Sequence, residues 1–84
     1  MSKVTVYTTQ ACARCGRAKS LLAQRGIPFE EVNLARDPVG RAELVERTGL
    51  MTFPQIVVGE HTVGGYDDLV AAADNGRLNQ LLAA

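Results

Sequence analysis

Two cysteines, Cys12 and Cys15, are separated by two residues in the segment Ala-Cys-Ala-Arg-Cys-Gly. A β-branched run from Val4 to Thr9 precedes the pair, and a helical pattern begins at Ala13. A C-x-x-C pair between a strand and a helix is a typical arrangement for thiol–disulfide redox chemistry. The spacing therefore indicates two thiols that exchange electrons with a disulfide.

The first cysteine falls where the predicted helix begins. N–H groups at a helix N-terminus lack intrahelical partners and carry about +0.5 of a charge, so a thiolate at Cys12 is favoured over the thiol. Positive side chains follow, and no acidic residue occurs before Glu30. We predict that Cys12 is the nucleophile and that Cys15, one turn further in, is the sheltered thiol that resolves a mixed disulfide. The positive side chains are Arg14, Arg17 and Lys19.

A zinc site is a different use of a cysteine pair. Closed zinc sites have four ligands, and the only further soft or borderline ligand of note is His61, which we expect to be a surface side chain. We therefore expect no metal-binding residues. A structural disulfide, or two small side chains buried in the core, would also account for the pair without redox chemistry.

The composition is that of an ordinary soluble globule. The 84 residues carry nine basic and nine acidic side chains, and 5% of the residues are aromatic. Zero net charge and few aromatic side chains argue against a nucleic-acid partner. We see neither a secretory signal nor an apolar run that could span a membrane. We expect one domain, residues 1–84, that acts in the cytoplasm as a monomer without a membrane partner.

Strand and helix patterns alternate in the order βαβαββα, which predicts a small thioredoxin-like α/β fold. Its four-stranded mixed sheet would lie between helices, and Gly59-Glu60 suits a type II′ hairpin turn. The predicted strands are Val4–Tyr7, Phe29–Asn33, Gln55–Val58 and His61–Val63. The predicted helices are Ala13–Arg25, Pro38–Thr48 and Tyr66–Ala73, with a final amphipathic turn or two at Leu78, Leu81 and Leu82. The second helix is expected to turn Ala42, Leu44, Val45 and Thr48 inward.

Three segments of the chain resemble the glutaredoxin family. They are Val-Tyr-Thr at 6–8 before the C-x-x-C pair, Thr-Phe-Pro-Gln-Ile at 52–56, and Gly-Gly-Tyr-Asp-Asp-Leu at 64–69. The order and spacing match over nearly all of the sequence. The resemblance implies helices on both faces of the sheet. It also implies a glutathione-linked oxidoreductase that reduces protein disulfides or glutathione mixed disulfides, with glutathione as reductant and co-substrate.

The resemblance also implies where glutathione binds. The Phe53–Pro54 bond would be cis and would leave the Phe53 backbone groups unpaired beside Cys12, where a peptide can bind like an added strand. The Tyr66 backbone and the Asp67 carboxylate would hold the γ-glutamyl end. The residues expected to contact glutathione are Thr9, Arg14, Thr52, Phe53, Pro54, Gly65, Tyr66 and Asp67.

The sequence departs from the family pattern around the cysteines. Ala13 and Arg14 stand where the family has proline and tyrosine. Thr9 replaces a lysine that commonly contacts the glycine carboxylate of glutathione. One hypothesis is that Arg14 compensates for this loss, because a guanidinium can bind a carboxylate through two hydrogen bonds.

Two further functions are compatible with the sequence. The chain could be a glutaredoxin-like electron donor, for example to ribonucleotide reductase, that is reduced by thioredoxin reductase. It could also carry a [2Fe–2S] cluster between two protomers. Each protomer would then give Cys12 and one glutathione, since two cysteines do not complete a four-thiolate site.

Overall fold

The computed structural model describes residues 2–84, which form four strands and four helices in the order βαβαββαα. The strands are β1 (Val4–Thr8), β2 (Glu30–Asn33), β3 (Gln55–Val58) and β4 (His61–Gly64). The helices are α1 (Ala13–Gln24), α2 (Pro38–Thr48), α3 (Tyr66–Asp74) and α4 (Arg77–Ala83). Within this range no helix has the length and apolar character needed to cross a membrane.

The sheet is mixed, as predicted, and its strands lie in the order β2-β1-β3-β4. Strand β1 pairs in parallel with β2 and antiparallel with β3, and β3 pairs antiparallel with β4. The two central strands are also the most apolar, and every residue of β3 is buried. Between β3 and β4, Gly59 has a φ of +61° while Glu60 does not have a positive φ, which fits the predicted type II′ turn.

One face of the sheet packs against α1, α3 and α4. Val6 of β1 and Ile56 of β3 are neighbours in the ladder, and both are fully buried on this face. The buried cluster consists of Val4, Val6, Ala18, Leu22, Ile56, Val58, Leu69, Ala72, Ala73 and Leu78. Its members come from β1, β3 and the three helices, so this core fixes where the start of α1 lies relative to the start of α3.

The chain after α3 forms the short amphipathic helical segment that the sequence analysis predicted. Its pattern indicated a turn or two, and Arg77–Ala83, about two helical turns, forms a separate helix that adds one element to the predicted order. Leu78 is 1% exposed and belongs to the core cluster, which explains why this short segment is ordered against α3. Gly76, with a φ of +83°, separates the two helices.

Helix α2 covers the other face of the sheet, which confirms the expectation of helices on both faces. Successive strand residues point to opposite faces, so Gln55 of β3 faces away from the main core. Its amide oxygen accepts a hydrogen bond of 2.8 Å from the Thr48 hydroxyl of α2. The inward position expected for Ala42 was wrong, because Ala42 is exposed and lies about 200° around the helix from the buried Leu44.

Candidate active site

Cys12 is the residue that caps the N-terminus of α1. Its backbone is extended, with φ −113° and ψ 100°, and its sulfur accepts a hydrogen bond of 3.2 Å from the Cys15 backbone N–H. The sulfur therefore takes the place of the serine or aspartate oxygen that usually caps a helix. The Cys12 sulfur therefore lies at the positive end of the helix, with a backbone N–H group directed at it.

The turn that leads into Cys12 contains a backbone conformation that the sequence did not indicate. Ala11 has a φ of +53°, the only positive φ of a non-glycine residue in the range 2–84. This left-handed conformation costs an alanine about 1 kcal/mol. It redirects the chain at the end of the loop between β1 and α1.

Cys15 lies behind Cys12 and is 3% exposed. Burial raises the pKa of the Cys15 thiol to about 11, and its hydrogen bond with Cys12 acts in the same direction. A backbone hydrogen bond from Thr9 and the charge of Lys19 oppose this rise in pKa only in part. The sheltered position predicted for Cys15 is confirmed, and at neutral pH this cysteine is a thiol.

The loop before β3 forms a second side of the site. The Phe53–Pro54 peptide bond is cis, as expected, and the Cys12 sulfur lies 3.7 Å from the Phe53 carbonyl oxygen. The carbonyl was expected to be unpaired, but the Cys12 thiol is positioned to donate to it.

The N-terminus of α3 forms a third side. Gly64 has a φ of +123°, and the Asp68 carboxylate accepts a hydrogen bond of 3.0 Å from the Gly65 N–H. A Cβ atom placed on Gly65 would lie 3.7 Å from the Pro54 carbonyl oxygen. The start of α3 therefore lies beside the cis-proline loop, with the half-buried Tyr66 as its first residue.

Two arginine–aspartate pairs join α1 to α3. At the start of both helices, Arg14 Nη1 lies 3.6 Å from Asp67 Oδ2. At the end of both, Arg25 Nη2 lies 3.9 Å from Asp74 Oδ1. The two helices therefore run parallel, and both N-termini meet at the redox pair.

The comparisons with known proteins agree with this geometry. The sequence model of the family described as "Glutaredoxin" matches residues 4–63. The chain belongs to the glutaredoxin family. Members of this family are generally thiol–disulfide oxidoreductases that use glutathione.

The similarity to individual glutaredoxins extends over the whole chain. A glutaredoxin from Pseudomonas aeruginosa is 46% identical over 84 residues, which cover 100% of both chains. The solution structure of glutaredoxin from Brucella melitensis matches with a TM-score of 0.84 and 49% identity, over 98% of this chain and 89% of that one. A buckwheat glutaredoxin in complex with glutathione matches with a TM-score of 0.86 and 27% identity, over 98% of this chain and 77% of that one.

The charge around Cys12 differs from the sequence prediction. The stretch before Glu30 has no acidic residue, but the fold brings carboxylates from later in the chain close to the cations that follow Cys12. Asp67 pairs with Arg14, and Glu31 pairs with Lys19 at 3.1 Å. Of the three cations that follow Cys12, Arg17 alone has no ion pair within residues 2–84. Two of the three cations that follow Cys12 are therefore paired with carboxylates, which the sequence did not indicate.

The structure also places the two remaining residues of the expected site, Thr9 and Thr52, and the histidine considered as a metal ligand. The Thr9 backbone faces Cys15, and its side chain is half-buried. Thr52 is exposed in the loop before Phe53. His61 is exposed, as expected, with Nε2 3.1 Å from Arg77 Nη2. Among residues 2–84, no group of three or more His, Cys, Asp or Glu side chains is arranged to hold a metal ion.

The sequence analysis did not identify two buried polar residues, Gln55 and Thr8, that support the site. Gln55 is fully buried, and its amide nitrogen donates 2.9 Å to the Leu50 carbonyl oxygen, which ties the cis-proline loop to α2. Thr8 is 1% exposed and donates 2.8 Å to the Glu31 carboxylate, which also binds Lys19. The available signal was a polar residue within an otherwise buried strand, since such a residue needs a partner.

Proposed function

We propose that this glutaredoxin reduces protein disulfides and glutathione mixed disulfides with electrons from glutathione. The observation that supports this most directly is the contrast between the two sulfurs. Cys12 is half-buried at the helix terminus and accepts a backbone hydrogen bond, whereas Cys15 is buried behind it. One sulfur is accessible to a disulfide, and the other is accessible only to Cys12.

The first step is attack by the Cys12 thiolate on a disulfide sulfur of the substrate. A new S–S bond forms at Cys12, the substrate S–S bond breaks, and the departing thiolate takes a proton from solvent. With a glutathionylated protein the product is a Cys12–glutathione mixed disulfide. With a protein disulfide the substrate itself remains attached to Cys12.

The second step depends on what is attached to Cys12. A second glutathione attacks the Cys12–glutathione bond, which releases glutathione disulfide and regenerates the Cys12 thiolate. An attached protein is instead displaced by Cys15, which forms a Cys12–Cys15 disulfide that two glutathione molecules then reduce. Because Cys15 must first lose its proton, its high pKa slows this route at neutral pH and leaves time for glutathione to attack.

The proposed binding of glutathione uses the three sides of the site. Its cysteine backbone would pair with the Phe53 backbone groups beside the cis-proline. Its γ-glutamyl end would meet the Tyr66 N–H and the Asp67 carboxylate at the start of α3. The position of Gly65 supports this proposal, because an added Cβ there would lie 3.7 Å from the Pro54 carbonyl oxygen and the two binding elements are therefore next to each other.

The test compares Cys12→Ser and Cys15→Ser on two substrates, a glutathionylated peptide and a protein disulfide, with glutathione and glutathione reductase as the electron source. We expect Cys12→Ser to lose both activities. Cys15→Ser should keep turnover of the glutathionylated peptide and lose most reduction of the protein disulfide. Equal loss of both activities in Cys15→Ser would contradict the proposed roles. Wild-type turnover that thioredoxin reductase supports and glutathione does not support would also contradict the proposal.

A further inference from the structure

The Arg14–Asp67 pair is an unusual contact for two residues beside a redox cysteine. The two side chains are 62% and 83% exposed, and the pair spans the gap between the first turns of α1 and α3. The sequence analysis assigned both residues to the ligand but to different ends of it. In the structure the side chains of Arg14 and Asp67 lie next to each other.

The geometry of this pair leaves both partners free to bind a third group. The distance of 3.6 Å is longer than a nitrogen–oxygen hydrogen bond. A guanidinium has five N–H donors and a carboxylate has about four acceptor positions, so one loose contact uses little of either. An exposed pair of this kind also contributes little to folding, so opening it costs little.

We propose that Arg14 and Asp67 together bind the zwitterionic α-amino acid head at the γ-glutamyl end of glutathione. Asp67 takes the ammonium group, and Arg14 takes the α-carboxylate carried by the same carbon atom. This inference rests on the proposed function and assigns Arg14 to the opposite end of the ligand from the glycine carboxylate. Arg14 is then a specificity-determining residue for the γ-glutamyl group.

Other cations of α1 do not offer the same arrangement. Lys19 is held by Glu31, which is itself bonded to Thr8. Arg25 has a matching partner in Asp74, but that pair lies at the far end of α1 and α3. Arg17 has no ion pair among residues 2–84, so within that range only Arg14 combines a cation, a neighbouring carboxylate and a position in the first turn after Cys12.

The test uses three mixed disulfides of one peptide, each with a different thiol. The first thiol is glutathione. The second is 4-aminobutanoyl-cysteinylglycine, which keeps the ammonium group but lacks the α-carboxylate. The third is γ-glutamylcysteine, which lacks the glycine. The readout is the ratio of kcat/KM between two probes, because any general change in Cys12 reactivity cancels in the ratio.

Wild type should prefer glutathione to the aminobutanoyl probe. Arg14→Ala should reduce this preference about fivefold, which is the size of effect expected for one exposed charge-assisted contact. The preference for glutathione over γ-glutamylcysteine should be the same in both proteins. Arg14→Lys, which keeps the charge but not the planar fork, should fall between them. Arg25→Ala, the matched control, should leave both ratios at their wild-type values.

Two results would overturn the assignment of Arg14. One is an unchanged or increased preference for glutathione over the aminobutanoyl probe in Arg14→Ala. The other is a loss of preference for glutathione over γ-glutamylcysteine, which would assign Arg14 to the glycine carboxylate. Failure of the wild type to turn over any of the three probes is distinguishable from both, and would overturn the proposed function together with this inference.

Discussion

Cys12 and Cys15 differ in surroundings although they lie one helical turn apart. The Cys12 sulfur accepts a hydrogen bond from a backbone N–H, while burial holds the Cys15 sulfur as a neutral thiol. The Cys15 N–H is the donor to the Cys12 sulfur, so the second cysteine contacts the first through its backbone. This division of roles leads to a prediction about pH.

The attack of Cys15 on a mixed disulfide should accelerate steeply with pH. Burial, the largest cause of the raised pKa of Cys15, remains when Cys12 is in a mixed disulfide, so the fraction of Cys15 thiolate should rise about tenfold for each pH unit across the neutral range. We expect the rate of release of a thiol from a preformed Cys12 mixed disulfide to rise with pH and not to level off between about pH 6 and about pH 9. Rapid-mixing absorbance of a chromogenic thiol measures this rate.

The control for this experiment is Cys15→Ser, which should show no intramolecular release at any pH. A plateau near neutral pH in the wild type would show that Cys15 ionises as readily as a solvent-exposed thiol. That result would contradict the buried environment of Cys15.

The surroundings of the two cysteines were predictable, but the partners of the nearby charges were not. The more exposed position of Cys12 and the buried position of Cys15 follow from the helix start, which is a local feature of the sequence. The partner of Arg14 is in α3 and that of Lys19 is in β2, so these contacts depend on the packed structure. The sequence therefore overestimated the net positive charge near Cys12.

At the scale of elements, the site depends on how the N-terminus of α3 meets the cis-proline loop. Gly64 makes this possible, because its φ is +123° and a Cβ at that position would collide with the Asp68 carboxylate. Asp68 in turn caps the Gly65 N–H. Gly64 is therefore required at this position both by its backbone conformation and by the lack of space for a side chain.

Gly64→Ala should lower the free energy of unfolding by at least about 2 kcal/mol, because strain at the backbone adds to a steric clash. Gly26→Ala is the matched control. Gly26 also has a positive φ, +69°, but no atom lies within 4 Å of an added Cβ. Gly26→Ala should lower the free energy of unfolding by about 1 kcal/mol. Denaturant titrations measure both, and equal losses would contradict the role of the Asp68 contact.

Glu31 links three elements: β1 through Thr8, α1 through Lys19, and its own strand β2. The hydrogen bond from Thr8, followed by that from Lys19, lowers the pKa of the Glu31 carboxyl below its ordinary value of 4.5. A lowered pKa stabilises the folded state above the unfolded-state pKa, and this contribution disappears as the pH falls through the folded-state pKa.

Glu31→Gln should therefore lower the free energy of unfolding at pH 7 by about 1 kcal/mol, a value limited by partial solvent exposure. The difference from wild type should shrink as the pH falls below about 4. Glu30→Gln is the control, because Glu30 is more exposed and meets only Lys3. Thermal unfolding between about pH 3 and about pH 7 measures both variants. A difference that stays constant with pH would contradict the account of Glu31.

At the scale of the whole molecule, most of the architecture could be predicted because it depends on patterns that repeat locally. Strand and helix boundaries differ from the predictions by about one residue, as expected for element ends. The exceptions are α4, whose order depends on burying Leu78, and Ala42, whose exposure depends on how α2 is rotated against the sheet. Both depend on tertiary packing.

The three sides of the site come from distant parts of the chain, and the fold brings them to one end of the molecule. The central claim is that the start of α1 makes the Cys12 sulfur more reactive in the folded protein than in the unfolded chain, because it supplies a backbone N–H donor to that sulfur. This claim concerns a difference between the folded and the unfolded chain. It can be tested on a variant in which only Cys12 can react.

The most direct measurement is the rate at which iodoacetamide alkylates Cys12 in Cys15→Ser at about pH 6.5, in the folded protein and after unfolding in denaturant. The substitution keeps the backbone N–H that donates to the Cys12 sulfur. We expect the folded protein to react at least about tenfold faster than the unfolded chain, because only the folded chain places a helix N-terminus and a backbone N–H donor at the Cys12 sulfur. Equal rates, or slower reaction in the folded protein, would contradict the account.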